Sequence, residues 1–177
     1  QWAVNHLAAF ALTRLLLPLL LAAPAARVVT VSSDSHYGAR LDWDDLQLRR
    51  RYNALSAYSN TKLANVLFTL ELNRRMGPDA SLRAFAADPG LVKTDIALKG
   101  NPAVARWVWK LRRSGGVPPE QAARGIVALL AEPDLDGAGE VYWKDGRPKR
   151  PSRRALDVEA AARLWHVSEQ MCGTVEA

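Results

Sequence analysis

Apolar positions along the chain alternate between helical spacing and short β-branched runs. From Trp2 to about Ala23, Leu7, Phe10, Ala11, Leu15 and Leu19 recur at three- and four-residue intervals, which predicts a helix with a kink at Pro18. The run Leu15 to Ala26 is apolar but is broken by Pro18 and Pro24 and falls short of the roughly 20 residues of a membrane span, so it reads as a buried helix. Arg27-Val-Val-Thr-Val-Ser-Ser33 reads as a buried parallel strand ending in small polar residues. Asp34 to Ala54 is polar and irregular, a long loop of the kind that carries function.

Helical spacing resumes from about Ser56 to Met76 and is stopped by Gly77-Pro78. Leu82 to Ala87 is a second buried strand leading into the turn Asp88-Pro-Gly90. Pro118-Pro119-Glu120 opens a helix to about Ala131, and Gly139 to Trp143 reads as a third strand before a turn at Asp145-Gly146. The last helix is predicted from its N-cap Asp157 to Met171, with Gly173 beyond its end. The order αβαβαβα implies one α/β domain over residues 1–177, built on a parallel sheet of about three strands with flanking helices.

Composition changes this picture little. With 177 residues, 49% of them hydrophobic and 24% charged, the chain can bury one core. Its net charge of +6 gathers at Arg49-Arg50-Arg51, at Lys110 with Arg112 and Arg113, and over residues 147–154. No stacking aromatics are interleaved with these clusters, so they read as solvated surface and not as a nucleic-acid site. Cys172 is the one cysteine, which excludes an intrachain disulfide and fits a reducing, cytoplasmic compartment. His6, His36 and His166 show no metal-ligand spacing, so no metal is expected.

The candidate chemistry lies in Ser56-Ala-Tyr58-Ser-Asn-Thr-Lys62. Residues four apart share a helix face, so the Lys62 ammonium can stand beside the Tyr58 phenol and favour its ionised form, which suits a general acid or base. Ligands on parallel sheets bind at the carboxyl ends of strands, and Ser32, Ser33 and the turn at Pro89-Gly90 fall at two such ends. Either serine could face Tyr58.

Three stretches together resemble the short-chain dehydrogenase/reductase family: Val28-Val-Thr-Val-Ser-Ser33, Tyr58-Ser-Asn-Thr-Lys62, and Asp88-Pro-Gly-Leu-Val-Lys-Thr94. Ser59-Asn-Thr-Lys-Leu-Ala-Asn-Val-Leu-Phe68 and Leu164-Trp-His-Val-Ser-Glu169 are similar to its retinol-dehydrogenase-like branch. The resemblance implies an oxidoreductase that interconverts an alcohol and a carbonyl with NAD or NADP, with NADP slightly favoured. It implies Tyr58 as acid/base, Lys62 as the residue that lowers the tyrosine pKa and holds the nicotinamide ribose, and Asn5 as support for a proton-relay water. Ser33, 25 residues before Tyr58, would polarise the carbonyl. Pro89, Gly90, Val92 and Thr94 would support the nicotinamide and a phosphate. Residues 93–116, with Trp107 and Trp109, would cover a small apolar alcohol or carbonyl substrate.

The family's TGxxxGxG turn, its NNAG motif and the residue that selects between NAD and NADP have no counterpart here. The fold expectation is therefore a partial Rossmann-like, doubly wound sheet whose N-terminal strands are missing, one sheet edge exposed, and apolar faces of helices 1–23 and 56–76 short of partners. Such a chain is expected to be weak or inactive alone and to self-associate. The alternative is a non-catalytic Rossmann-like protein that pairs through its long helices as a homo-oligomer or with another subunit. A basic binder of nucleic acid or membrane surface through residues 147–154 ranks third.

Overall fold

The computed structural model describes residues 1–93, 115–132, 135 and 139–173. A π-helical turn at Ala3–Leu7 runs without a break into α1, Ala8–Ala22. β1 spans Ala26–Val31, a 3-10 turn follows at Asp34–Gly38, α2 spans Ala54–Met76 and β2 spans Leu82–Asp88. After these come α3 (Pro119–Ala131), β3 (Tyr142–Lys144), β4 (Arg147–Pro148), a 3-10 turn at Arg153–Leu156 and α4 (Val158–Cys172).

The sheet order is β1-β2-β3-β4, with β1, β2 and β3 parallel and β4 antiparallel to β3. The third strand is shorter and later than expected, and β4 is an addition: Asp145 and Gly146, both at positive φ, close a tight hairpin that turns the chain back. Both faces of the sheet are covered, as in a doubly wound fold. Leu82, Ala84 and Ala86 of β2 pack toward α2, whereas Phe85 and Ala87 join Leu129 of α3 and Trp143 of β3 on the opposite face.

α2 is the central element. Asn53 caps its start through Oδ1, which accepts from the Ser56 N–H at 2.9 Å, and Gly77 at φ 84° ends it behind Arg74 and Arg75. Its apolar face was expected to lack partners, and the structure corrects this. Leu63, Val66, Leu67, Phe68 and Leu72 are all buried, between the sheet on one side and Leu164 and Trp165 of α4 on the other. The C-terminal helix supplies the cover.

α1 is short of partners as expected for helix 1–23, and the buried helix expected at Leu15 to Ala26 is corrected. Only Phe10 and Thr13 of α1 are buried, while Leu15 and Leu19 are 72% and 70% exposed, and Leu12, Leu16 and Leu21 are exposed as well. Pro18 and Pro24 do not shorten the apolar element enough: Ala3–Ala22 is one continuous apolar helix of 20 residues, long enough to cross a bilayer by length and composition, a test that core helices of soluble proteins also pass. Among the described residues β1 pairs on one edge only, and α1 contacts this same strand.

Candidate active site

β1 and α2 bring the predicted residues together. The Lys62 Nζ lies 5.2 Å from the centre of the Tyr58 ring and donates to the Val31 carbonyl at 3.0 Å. Tyr58 keeps 39% of its surface exposed on the first turns of α2, whereas Lys62, one turn deeper, is buried. The ammonium thus sits beneath the phenol with its stem among core side chains.

The two serines separate by burial. Ser32 is buried and its hydroxyl donates to the Lys62 carbonyl at 2.9 Å, tying the strand end to α2. Ser33 is half-buried, caps the 3-10 turn by accepting from the Ser35 N–H at 3.3 Å, and lies near enough to the Tyr58 phenol for its hydroxyl to favour the ionised form.

Electrostatics revise one expectation. Burial raises the Tyr58 pKa above its ordinary value, the Ser33 hydroxyl opposes that rise, and the Asp88 carboxylate adds to it. The expected lowering by Lys62 does not set the direction, because Lys62 is itself desolvated and has its pKa lowered by burial, with Asp88 acting against that. A buried ammonium over 5 Å from the ring centre with a carboxylate nearby exerts little net pull.

Asn5 sits in the π-helical turn. Its side-chain Nδ2 donates to Thr61 Oγ1 at 3.3 Å, and Thr61 Oγ1 donates to the Tyr58 carbonyl at 2.7 Å. Its backbone carbonyl accepts from Asn65 Nδ2 at 3.0 Å. Pro89 and Gly90 form the turn after β2, where Gly90 has φ 73° and its N–H donates to Asp88 Oδ1 at 2.8 Å. The positive φ favours glycine at this position, and a Cβ there would stand 2.6 Å from Asp145 Oδ1 and displace that exposed carboxylate. Val92 makes a parallel bridge to Val117, which pins together the two ends of the intervening segment. Thr94 and the Trp107 to Trp109 region lie outside the described residues.

Three side chains that matter here were not singled out from the sequence. Asp88 is buried at the end of β2, and its Oδ2 accepts from the Asp34 N–H at 2.8 Å and from the Tyr142 hydroxyl at 3.1 Å. Asp34 in turn receives Lys149 Nζ at 2.8 Å together with Lys144, and these cations hold its carboxyl at about 2 despite partial burial. Asn65 is buried in mid-helix; a polar amide three residues past Lys62 in an otherwise apolar run was the available signal.

The arrangement fits the nicotinamide end of a dinucleotide. Among the described residues Lys62 Nζ has the Val31 carbonyl as its acceptor, which leaves N–H bonds for the hydroxyls of a ribose, and the exposed Tyr58 phenol lies above it. Among the described helix starts, at Trp2, Asn53, Pro118 and Asp157, none follows a turn of the TGxxxGxG form; Gly115-Gly116 precedes Pro118 without the rest of that pattern.

A doubly wound parallel sheet with a tyrosine, lysine and serine at one rim defines a Rossmann-like α/β protein of the dehydrogenase class. The family model described as short chain dehydrogenase matches residues 2–104, and the chain belongs to that family, in its retinol-dehydrogenase-like branch. It is 33% identical to mouse (Mus musculus) retinol dehydrogenase 14 over 99% of this chain and 53% of that protein. It is 36% identical to mouse polyprenol dehydrogenase over 96% of this chain and 52% of that one. A crystal structure of an uncharacterised protein from Mycobacterium Paratuberculosis superposes with a TM-score of 0.65 at 38% identity, covering 94% of this chain and 56% of the other. The chain spans about half the length of the curated relatives it matches.

Proposed function

We propose that this chain carries the proton-transfer half of an alcohol–carbonyl oxidoreductase that uses NAD or NADP. The observation that supports the reading is the placement of the Tyr58 phenol, the Lys62 ammonium and the Ser33 hydroxyl at one rim, where β1 ends and α2 begins. The nicotinamide, when bound, supplies or accepts the hydride at the substrate carbon. Tyr58 donates its proton to the developing alkoxide during reduction and removes it during oxidation. Ser33 orients the substrate oxygen toward that phenol. Lys62 holds the ribose hydroxyls from below, and the turn at Pro89 and Gly90, with Val92 and Thr94, borders the nicotinamide. The names of the relatives, retinol and polyprenol dehydrogenases, favour a long apolar primary alcohol or its aldehyde as substrate, with residues 93–116 covering it.

The test is titration of the chain with NADPH and NADH, followed by nicotinamide fluorescence, with circular dichroism as the folding control. Saturable binding that Lys62→Met weakens about tenfold and Tyr58→Phe leaves intact supports the assignment. Binding that the Lys62→Met variant leaves unchanged removes it, and a folded chain without saturable binding does not carry the reaction by itself.

A second reading, a non-catalytic protein that pairs through α1, draws on the exposed leucines and the open β1 edge. It requires a stable assembly with no nucleotide binding, which the same titration combined with sedimentation distinguishes.

A further inference from the structure

Below the Tyr58–Lys62 pair runs a line of buried polar groups that the proton-transfer scheme does not use. Asn65 Nδ2 donates to two backbone carbonyls, Asn5 at 3.0 Å and Val31 at 3.1 Å, and the second is the same oxygen that receives Lys62 Nζ at 3.0 Å. An amide nitrogen facing two carbonyl oxygens fixes the orientation of the Asn65 side chain, so its Oδ1 is the atom that stands 3.3 Å from His6 Nδ1. His6 Nδ1 must then carry the proton. His6 Nε2 lies 2.9 Å from Ser168 Oγ on α4 and therefore accepts from that hydroxyl. His6, Asn65 and Ser168 are 1%, 2% and 1% exposed, and each polar atom named has its partner.

We propose that Asn65 is a positioning residue for Lys62: held in one orientation by the His6–Ser168 pair, its amide clamps the Asn5 and Val31 carbonyls and occupies part of the oxygen on which Lys62 hangs. Two donors share the Val31 oxygen. Neither the helix turn that carries Asn5 nor the strand end can move without breaking a bond to Asn65, so the height of the ammonium beneath Tyr58 is set. The partly positive amide nitrogen beside the same oxygen also weakens the hold of the carbonyl on Lys62, which leaves the ammonium ready to donate outward. The other titratable groups that bear on Lys62 are Tyr58 on its own helix and Asp88 on β2. The C-terminal helix, through Ser168, is thereby coupled to a site some hundred residues earlier in the chain.

The proposal rests on the reading of Lys62 as the ribose-holding residue, and its test stands apart from nucleotide binding. Nitrogen-15 NMR of the labelled wild-type chain reads the histidine tautomer directly, with no substitution required. His6 is expected as the neutral, Nδ1-protonated form through neutral pH; an Nε2-protonated or cationic His6 overturns the relay. The pH dependence of reductive methylation at Lys62, read by peptide mass spectrometry, reports the lysine titration. In Asn65→Leu that titration moves up by about half a pH unit as the carbonyl is given wholly to Lys62. His6→Gln, which can donate to Asn65 and accept from Ser168, stays at the wild-type position, and His6→Phe shifts in the same sense as Asn65→Leu. An unmoved titration in a folded Asn65→Leu chain overturns the proposal, and so does a His6→Gln chain that behaves like His6→Phe. If NADPH binds equally to the wild-type and Lys62→Met chains while the tautomer and the titrations come out as expected, the relay stands and the reading of Lys62 as the ribose-holding residue fails.

Discussion

The Ser32 hydroxyl donates to the Lys62 carbonyl at 2.9 Å, so one of two neighbouring serines is committed to the backbone of α2 and the other is left to meet Tyr58. The alternation of side chains past the end of β1 produces this division: consecutive residues of extended chain point to opposite sides. Ser32 turns into the core and Ser33 toward the rim.

Replacing each serine with alanine should therefore give different losses. Ser32→Ala removes a buried hydrogen bond that ties the end of β1 to the Lys62 carbonyl, which keeps its own helical N–H partner, and is expected to destabilise the fold by about 0.5–1.5 kcal/mol, seen as a lower Tm, with NADPH affinity little changed. Ser33→Ala is expected to lower turnover of an apolar aldehyde by about a hundredfold with a smaller loss of stability. The opposite pattern would return the role to Ser32.

Burial keeps the Tyr58 phenol protonated through neutral pH, because its pKa is raised. On the proposed role of Tyr58, reduction of an aldehyde would use the phenol and should be flat with pH through neutrality and fall only at alkaline pH. Oxidation of the alcohol, which needs the phenolate, should climb as pH rises. Steady-state rates in both directions against pH check this; an oxidation rate that is already on a plateau at neutral pH would show that the tyrosine pKa is lowered instead.

His6 is neutral in the folded chain, its pKa pushed down to about 4 from 6.5 by complete burial, with the Asn65 hydrogen bond opposing the shift. Since the unfolded chain takes up the proton first, the stabilisation is whole above pH 6.5 and is lost as pH falls toward about 4. The loss is of the order of 3 kcal/mol. Denaturant melts across this window should slope steeply for the wild type and more gently for His6→Gln, which has no group to titrate; equal slopes would contradict the assignment of His6 as a buried neutral base.

The exposed Leu12, Leu15, Leu16 and Leu19 of α1 line one helix face as an apolar stripe, a feature that marks interaction sites. Sedimentation of the chain at increasing concentration should show association, and the pair Leu15→Gln and Leu19→Gln should reduce it without altering the circular dichroism of the fold. Association that is unchanged in the double variant would place the contact elsewhere, with the open edge of β1 the next surface to block.

Much of this architecture could be read along the chain. The α2 boundaries, the strand at Leu82, the caps at Asp157 and Gly173 and the facing of Tyr58 with Lys62 are local matters, set by periodicity, by capping side chains and by the four-residue offset on a helix. They are carried by neighbours in sequence, and pattern is enough to find them.

The remainder depended on partners far away along the chain. Whether an apolar helix is buried is settled by what packs on it: α4 covers α2, and among the described residues nothing comparable covers the leucines of α1, although both sequences are apolar. The Tyr58 pKa was expected to fall because an adjacent cation is visible in the sequence, but desolvation and Asp88, 30 positions on, outweigh it. His6, Asn65 and Ser168 are separated by 59 and 103 positions and show no mutual spacing that could reveal them as one line of hydrogen bonds. Helix period and turn chemistry act over a few residues, and so are written in order along the chain. Burial, desolvation and the matching of donors to acceptors are properties of the space that the chain encloses, and they exist only once it has closed.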